Sequence, residues 1–154
     1  MAGLSLDAAK IIAEAALAAG RENGFMPLTV AVLDAGGHLV AFLREDGSGI
    51  LRPEVATGKA WGALGMGTST RMLRDRLADR PAFQAALAAA SGGKFIPVPG
   101  GVLIRNADGD VIGAVGISGD TSDKDEYAAI TAVQAAGLTP FPAEPVPDWE
   151  GSRL

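Results

Sequence analysis

The stretch from Gly100 to Glu126 constrains the fold of this chain more than any other part. Two runs rich in β-branched residues, Val102–Arg105 and Val111–Ile117, are separated by a short turn that contains an Asp-Gly pair. Gly113 and Gly116 lie inside the second run, where a glycine weakens a strand and often marks a close approach by another backbone or a ligand. We therefore predict a β-hairpin that leads directly into a helix, with a functional site nearby.

A second hairpin is predicted earlier in the chain. The strand patterns Leu28–Asp34 and His38–Arg44 flank a turn at 35–37 that contains two glycines. The extended segment Lys94–Pro99 predicts a fifth strand, placed at an edge of the sheet because its prolines cannot donate hydrogen bonds. Strands joined by tight turns pair antiparallel, so the whole sheet is expected to be antiparallel.

Helical patterns account for most of the remaining residues up to Gly137. Caps and apolar spacing predict helices at Leu6–Ala19, Glu54–Met66, Thr70–Ala78, Pro81–Ala90 and Ser122–Ala136. The first and last of these helices can cover one face of the sheet. The order of elements therefore predicts an α+β fold, with a five-stranded antiparallel sheet flanked by helices.

The last residues differ in composition from the rest. Residues 138–154 contain four prolines and no apolar periodicity, which predicts a single domain of residues 1–137 followed by a Pro-rich extended tail of residues 138–154. Disordered segments are poor in aromatic residues. Because the tail contains Phe141 and Trp149, we expect it to lie on a surface with one of these rings as its anchor.

Charge and composition exclude several classes of function. The 154 residues have a net charge of −5 and no cysteine, which argues against nucleic-acid binding and excludes disulfides, zinc–thiolate sites and cysteine nucleophiles. The beginning of the sequence does not resemble a signal peptide, and no apolar run reaches membrane-spanning length. We expect a cytoplasmic protein with neither nucleic-acid nor membrane partners.

Five motifs follow one another along the chain: Val32–Val40, Lys59-Ala60, Pro99–Val102, Asp108–Gly119 and Asp125-Glu126. Together and in this order they resemble the GlcG/HbpS family, which includes haem-binding members and is similar to the C-terminal domain of the corrinoid adenosyltransferase PduO. The resemblance implies a profilin-like or PAS-like layered domain. It also implies homo-oligomers, and haem or iron as a cofactor in some members.

The matched motifs and their neighbours supply the candidate ligand-binding residues. His38 is the only histidine and can serve as a haem ligand or a base, although a solvated polar residue at a strand end is the simpler interpretation. Lys59 lies among small residues, where it can anchor an acidic group or merely extend its amine to solvent. The predicted ligand-binding set is Asp34, His38, Lys59, Trp61, Gly100, Gly101, Ser118 and Gly119, and we expect Lys59 to line the main cavity.

Two other patterns have more than one interpretation. Gly58, Gly62 and Gly65 form a smooth helix face that favours close packing within or between subunits, or against a flat ligand. The carboxylates between Asp120 and Glu126 are explained by helix capping alone, by a bound hard cation, or by acid–base chemistry. The sequence does not decide whether this cluster binds metal.

These observations support two hypotheses of function. The first is an oligomeric protein that binds a small ligand, with haem or iron implied by the resemblance. The alternative is a small enzyme without an organic cofactor that acts on a small carboxylic acid, held by Lys59 and Arg52. In that case Lys59, Asp125 and Glu126 are the catalytic residues, with His38 as a further proton carrier.

Overall fold

The computed structural model describes residues 3–154. It contains five α-helices, five strands and a short 3₁₀ helix at Trp149–Gly151. The helices are α1 (Leu6–Glu22), α2 (Arg52–Met66), α3 (Thr70–Leu77), α4 (Pro81–Ala90) and α5 (Ser122–Ala135), and the strands are β1 (Thr29–Asp34), β2 (Leu39–Arg44), β3 (Gly101–Arg105), β4 (Val111–Ser118) and β5 (Thr139–Phe141). Within residues 3–154, no helix is long and apolar enough to cross a bilayer.

The strands form one sheet in the order β2-β1-β4-β3-β5, and every neighbouring pair is antiparallel. Both predicted hairpins are present, as β1–β2 and β3–β4. The central pair β1–β4 joins the two hairpins, with Thr29 opposite Ser118 and Asp34 opposite Gly113. The predicted α+β fold with a five-stranded antiparallel sheet is confirmed.

The fifth strand is not the predicted one. Lys94–Pro99 forms no strand, and β5 instead comes from the start of the proline-rich tail and pairs with β3. Phe95 and Ile96 explain the difference, because they pack against Gly62 and Gly58 of α2 and draw the segment over that helix. The division at residue 137 stays a prediction, but the sheet extends beyond it.

Helices cover both faces of the sheet. The helices α1 and α5 form one layer, as predicted, where residues such as Ile12 and Ile130 share a core with Val30 and Val115. The helix α2 lies on the opposite face, against Leu33 and other buried residues. Gly116 permits this contact, because a Cβ there would overlap the carbonyl oxygen of Ala56 in α2.

Aromatic rings hold the tail to the rest of the molecule, as expected. Trp149 stacks on Tyr127 of α5 with ring centroids 3.8 Å apart, and Phe25 meets both rings edge-on. In β5, the Phe141 ring lies under the guanidinium of Arg105 at 4.5 Å. Such ring pairs stabilise by about 0.5–1.5 kcal/mol beyond the area that they bury.

Candidate functional site

Lys59 lies at the centre of a buried polar cluster rather than in a cavity. Its Nζ donates hydrogen bonds to the Ile117 carbonyl at 2.8 Å and to Asp125 Oδ2 at 3.1 Å. Asp125 Oδ1 accepts a bond from the Asp120 backbone N–H at 3.0 Å. Lys59 is 2% exposed and Asp125 is 1% exposed. The ion pair therefore fastens α2 to the end of β4 and the start of α5.

Burial disfavours the charged form of each partner. Loss of water lowers the pKa of Lys59 and raises the pKa of Asp125, while the attraction between the two groups opposes both changes. Removing one partner of such a buried pair destabilises the protein, because the other partner is then a buried charge without compensation. Its geometry fits a structural connection.

The glycines near Lys59 are explained by contacts within the chain. A Cβ on Gly101 would overlap the Lys59 carbonyl oxygen, and one on Gly100 would lie 2.8 Å from Lys59 Nζ. Gly100 also has φ of +123°, which disfavours any other residue. Thr70 Oγ1 accepts from the Gly101 N–H at 2.8 Å and donates to its carbonyl at 3.3 Å. A Cβ on Gly119 would overlap the Pro27 carbonyl oxygen.

Ser118 and Arg52 adjoin the same region. Arg52 Nη1 donates to Ser118 Oγ at 3.1 Å, and Ser118 is fully buried. The structure brings Lys59, Gly100, Gly101 and Ser118 into one region, together with Arg52. Arg52 bonds to Ser118, whereas Lys59 bonds to Ile117 and Asp125, and Gly101 bonds to Thr70. The side chains of Lys59 and Ser118 are shielded from solvent.

Two of the acidic residues near the start of α5, Asp120 and Asp125, have separate structural roles. Asp120 accepts hydrogen bonds from the backbone of Met26 at 2.8 Å and Thr121 at 2.7 Å, and Asp125 pairs with Lys59. Within the described residues, no three His, Cys, Asp or Glu side chains converge as a metal-binding group. The cation interpretation of this cluster therefore gains no support.

Glu126 is buried without good hydrogen bonds. It is fully shielded from solvent, and both carboxylate oxygens lack a hydrogen-bond donor. Arg71 Nη1 lies 3.2 Å from Oε1 but is not aligned as a donor. Burial raises the pKa of Glu126 to about 7, and the nearby Arg71 opposes this change. The alternative enzyme needs substrate contact with Lys59, Asp125 and Glu126, and all three are buried.

The other predicted residues, Asp34, His38 and Trp61, lie at the β1–β2 turn, in a different environment. Asp34 Oδ1 accepts bonds from the backbone N–H groups of Gly36 and His38, each at 3.0 Å, and faces His38 Nδ1 at 3.2 Å. The backbone bond from His38 is the main cause that lowers the pKa of Asp34. The His38 side chain is 81% exposed. Trp61 lies beside the turn, since a Cβ on Gly37 would come within 3.3 Å of its ring.

An open groove of about 460 Å³, here called the β2 groove, lies between β2 and the first half of α2. Its walls are formed by Leu39, Phe42, Pro53, Glu54, Thr57, Gly58, Gly92, Gly93 and Lys94. Lys59 is not among them, which corrects the prediction that Lys59 lines the main cavity. The physical reason is the ion pair between Lys59 and Asp125, which holds the Lys59 amine inside the protein at the end of β4.

Sequence reasoning missed the apolar walls of this groove and its lysine. Leu39 and Phe42 belong to β2, a strand without charge until Arg44, and a strand so apolar yet exposed signals a contact surface. Lys94 follows two glycines with positive φ, Gly92 and Gly93. The Gly58–Gly62 part of the glycine face is covered by Phe95 and Ile96 of the same chain, so these two glycines serve packing within the subunit.

Comparison with known families identifies the chain. The sequence model of the family described as "Haem degrading protein HbpS-like" matches residues 4–134. The chain therefore belongs to the HbpS-like family. A 15.0 kDa protein from the dhaT–dhaS intergenic region of Citrobacter freundii is 31% identical over 133 residues, which cover 86% of this chain and 92% of that protein.

Similarity extends to PduO. The corrinoid adenosyltransferase PduO of Salmonella typhimurium is 33% identical over 113 residues, which cover 73% of this chain but only 33% of PduO. The chain thus spans about one third of that relative. The crystal structure of a PduOC:haem complex superposes with a TM-score of 0.80 at 29% identity, covering 88% of this chain and 96% of the other.

Proposed function

We propose that this protein binds haem as a homo-oligomer and holds it in the β2 groove. The observation that carries the proposal is the match to the PduOC:haem complex over 88% of the chain. The description of the HbpS-like family, to which the chain belongs, refers to haem as well. Related proteins share a fold more often than a function. The residues that line the groove must therefore also be chemically suited to haem.

The groove suits a flat, largely apolar ligand that bears carboxylates. Its volume of about 460 Å³ lies within the range of about 300–1,000 Å³ of ligand pockets. Leu39 and Phe42 provide apolar contact, and the Lys94 amine can pair with a carboxylate. The glycines at 92 and 93 have open space beside them and let a planar group approach the backbone closely.

His38 is the residue that we propose as the iron ligand. It directly precedes Leu39 of the groove wall, and its ring is exposed. Asp34 faces Nδ1 and can orient the ring, as carboxylates do for metal-binding histidines. This arrangement leaves Nε2 to bind iron. When bound, haem supplies iron and redox chemistry, whereas the protein supplies the apolar wall, the imidazole and the lysine.

Haem titration of the purified protein tests the proposal. We expect a Soret band that grows to a stoichiometric endpoint. Free haem in the same buffer, and the same protein unfolded in urea, are the controls for nonspecific association. Absence of a saturable band, together with thermal stabilisation by small organic acids, would instead favour the alternative enzyme.

A further inference from the structure

Glu126 differs from the other buried acidic residues near the start of α5. Asp125 bonds to Lys59, and Asp120 accepts hydrogen bonds from two backbone N–H groups. Glu126 is also buried, but neither of its carboxylate oxygens accepts a hydrogen bond from the described residues. Such a site favours the protonated carboxyl, because the ionised form has lost its water without gaining donors. The charge of Glu126 therefore depends on the few ionic groups around it.

Four charged side chains on α3 and α5 act on Glu126, namely Arg71, Arg74, Asp75 and Asp123. Arg74 bonds to the adjacent Asp75 at 3.0 Å, so these two charges largely cancel. Asp123 has the same sign as ionised Glu126 and favours its protonated form. Arg71 remains as the neutralising cation, with its Nη1 3.2 Å from Glu126 Oε1 but not aligned as a donor.

The other terminal nitrogen of Arg71 holds the C-terminal tail. Arg71 Nη2 donates to the backbone carbonyl of Glu144 at 3.1 Å, while the Glu144 residue itself is exposed. Residues 142–148 connect β5 to the 3₁₀ helix and form neither helix nor strand. Among residues 3–154, this is the only hydrogen bond between the segment 142–148 and any part of the chain before β5. One guanidinium thus lies between the buried carboxyl and the tail, and it is aligned with the tail.

We propose that Arg71 is a switch, which holds residues 142–148 while Glu126 is protonated and turns to Glu126, releasing them, when Glu126 is ionised. A protonated Glu126 has no charge, so the guanidinium is free to donate to the Glu144 carbonyl. An ionised Glu126 attracts Arg71 strongly in a site without water, and a guanidinium binds a carboxylate best through two parallel bonds. The present orientation serves Glu144 and leaves both Glu126 oxygens without a donor. Turning the guanidinium to the carboxylate therefore moves Nη2 away from the tail.

The direction of the switch with pH follows from the burial of Glu126. Loss of water raises the pKa of Glu126 to about 7, and the nearby Arg71 opposes this change. The carboxyl is then mostly protonated at about pH 5.5 and mostly ionised at about pH 8.5. The segment is therefore held at the lower pH and released as the pH rises through about 7.

A single spin label on the tail tests the switch, because the chain contains no cysteine. Ala143→Cys places a nitroxide on an exposed residue next to Glu144, where its electron paramagnetic resonance spectrum reports the mobility of the segment. We expect the immobile component of the spectrum to be lost between about pH 5.5 and about pH 8.5, with a midpoint near 7. Ala18→Cys, exposed on α1, is the matched control label, and its spectrum should not change with pH.

Two substitutions in the labelled protein assign the change to the proposed residues. Glu126→Gln cannot ionise and should keep the immobile component at every pH. Arg71→Gln removes the donor and should give a mobile label already at about pH 5.5. Arg76→Gln, exposed on the same helix, is the matched control and should keep the wild-type transition. Circular dichroism checks that each variant is folded.

Two independent results would overturn the switch. The first is a label whose mobility is constant with pH in the wild type, or changes equally in Glu126→Gln. The second is a label that stays immobile in folded Arg71→Gln at about pH 5.5, since another contact would then hold the tail. Each substitution carries its own prediction, so the switch stays testable if one variant does not fold. The measurements use no haem and are independent of the proposed haem binding.

Discussion

Lys59 and His38 look alike in the sequence and occupy opposite environments in the structure. Each is an isolated polar residue next to glycine, and each is a candidate ligand group. Lys59 is 2% exposed and bonded to Asp125 and Ile117, whereas the His38 side chain is 81% exposed. The comparison shows that glycines next to a polar residue can have either of two structural explanations. They make room either for a ligand or for the chain itself.

The difference between the two regions follows from where each residue lies. Lys59 is in the middle of α2, which lies directly against β4 because Gly116 lacks a side chain. His38 is at a turn, where Gly37 with φ of +82° reverses the chain. A lysine inside a packed helix interface must find a partner within the protein. A histidine at a turn remains available to solvent and ligands.

Breaking the buried pair should have the largest effect on stability. Lys59→Met leaves Asp125 buried without its partner, so we expect the free energy of unfolding to fall by about 3–5 kcal/mol. Urea denaturation measures this loss. The double variant Lys59→Met/Asp125→Leu removes both charges and should recover much of the stability. A loss below about 1 kcal/mol in the single variant would mean that the pair is not structural.

Glu126 should give a pH-dependent effect of somewhat smaller size. Its pKa is about 7 in the folded protein against 4.5 as the ordinary value, so the folded state binds the proton more tightly. Its contribution to stability is fully present below pH 4.5 and is lost as the pH rises through 7, by at most about 3 kcal/mol. We therefore compare the free energy of unfolding of Glu126→Gln with that of the wild type. This difference should shift in favour of the variant when the pH is raised from 4.5 to 8.

Urea titrations of both proteins at several values between pH 4.5 and pH 8.5 measure this difference. Glu14→Gln, on the exposed side of α1, is a suitable comparison because it removes a carboxylate that does not act on Glu126. Parallel stability profiles for the wild type and Glu126→Gln would show that the burial of Glu126 has no energetic consequence.

Much of the fold follows from local pattern, but the environment of the site does not. Periodicity and turn residues are local, so they predict both hairpins, the helices and the α1–α5 layer. The strand β5 has only three residues and a proline, and its place is fixed by pairing with the distant β3. Likewise, no local signal indicates that Asp125 lies 3.1 Å from Lys59, 66 positions away. That contact decides whether Lys59 faces a ligand or the core.

Asp34→Asn should have the smallest of these effects. It keeps an oxygen for the backbone N–H groups of Gly36 and His38 but weakens the hold on the His38 ring. If Asp34 orients His38 as an iron ligand, haem affinity should fall by about tenfold with little change in stability. Haem titration and thermal melting of this variant measure the two effects separately. Unchanged affinity would mean that the carboxylate only shapes the turn.

The central claim is that haem binds beside His38 and not at the buried pair of Lys59 and Asp125. The most direct test compares haem binding by variants of these two regions. Spectra should be recorded during haem titration of the wild type, of His38→Ala, and of the Lys59→Met/Asp125→Leu pair, each first shown to be folded. We predict that His38→Ala shifts or loses the Soret band, whereas the buried-pair variant keeps the wild-type spectrum and affinity. An unaltered spectrum in His38→Ala, with loss of binding in the folded buried-pair variant, would place the ligand at Lys59 and contradict this account.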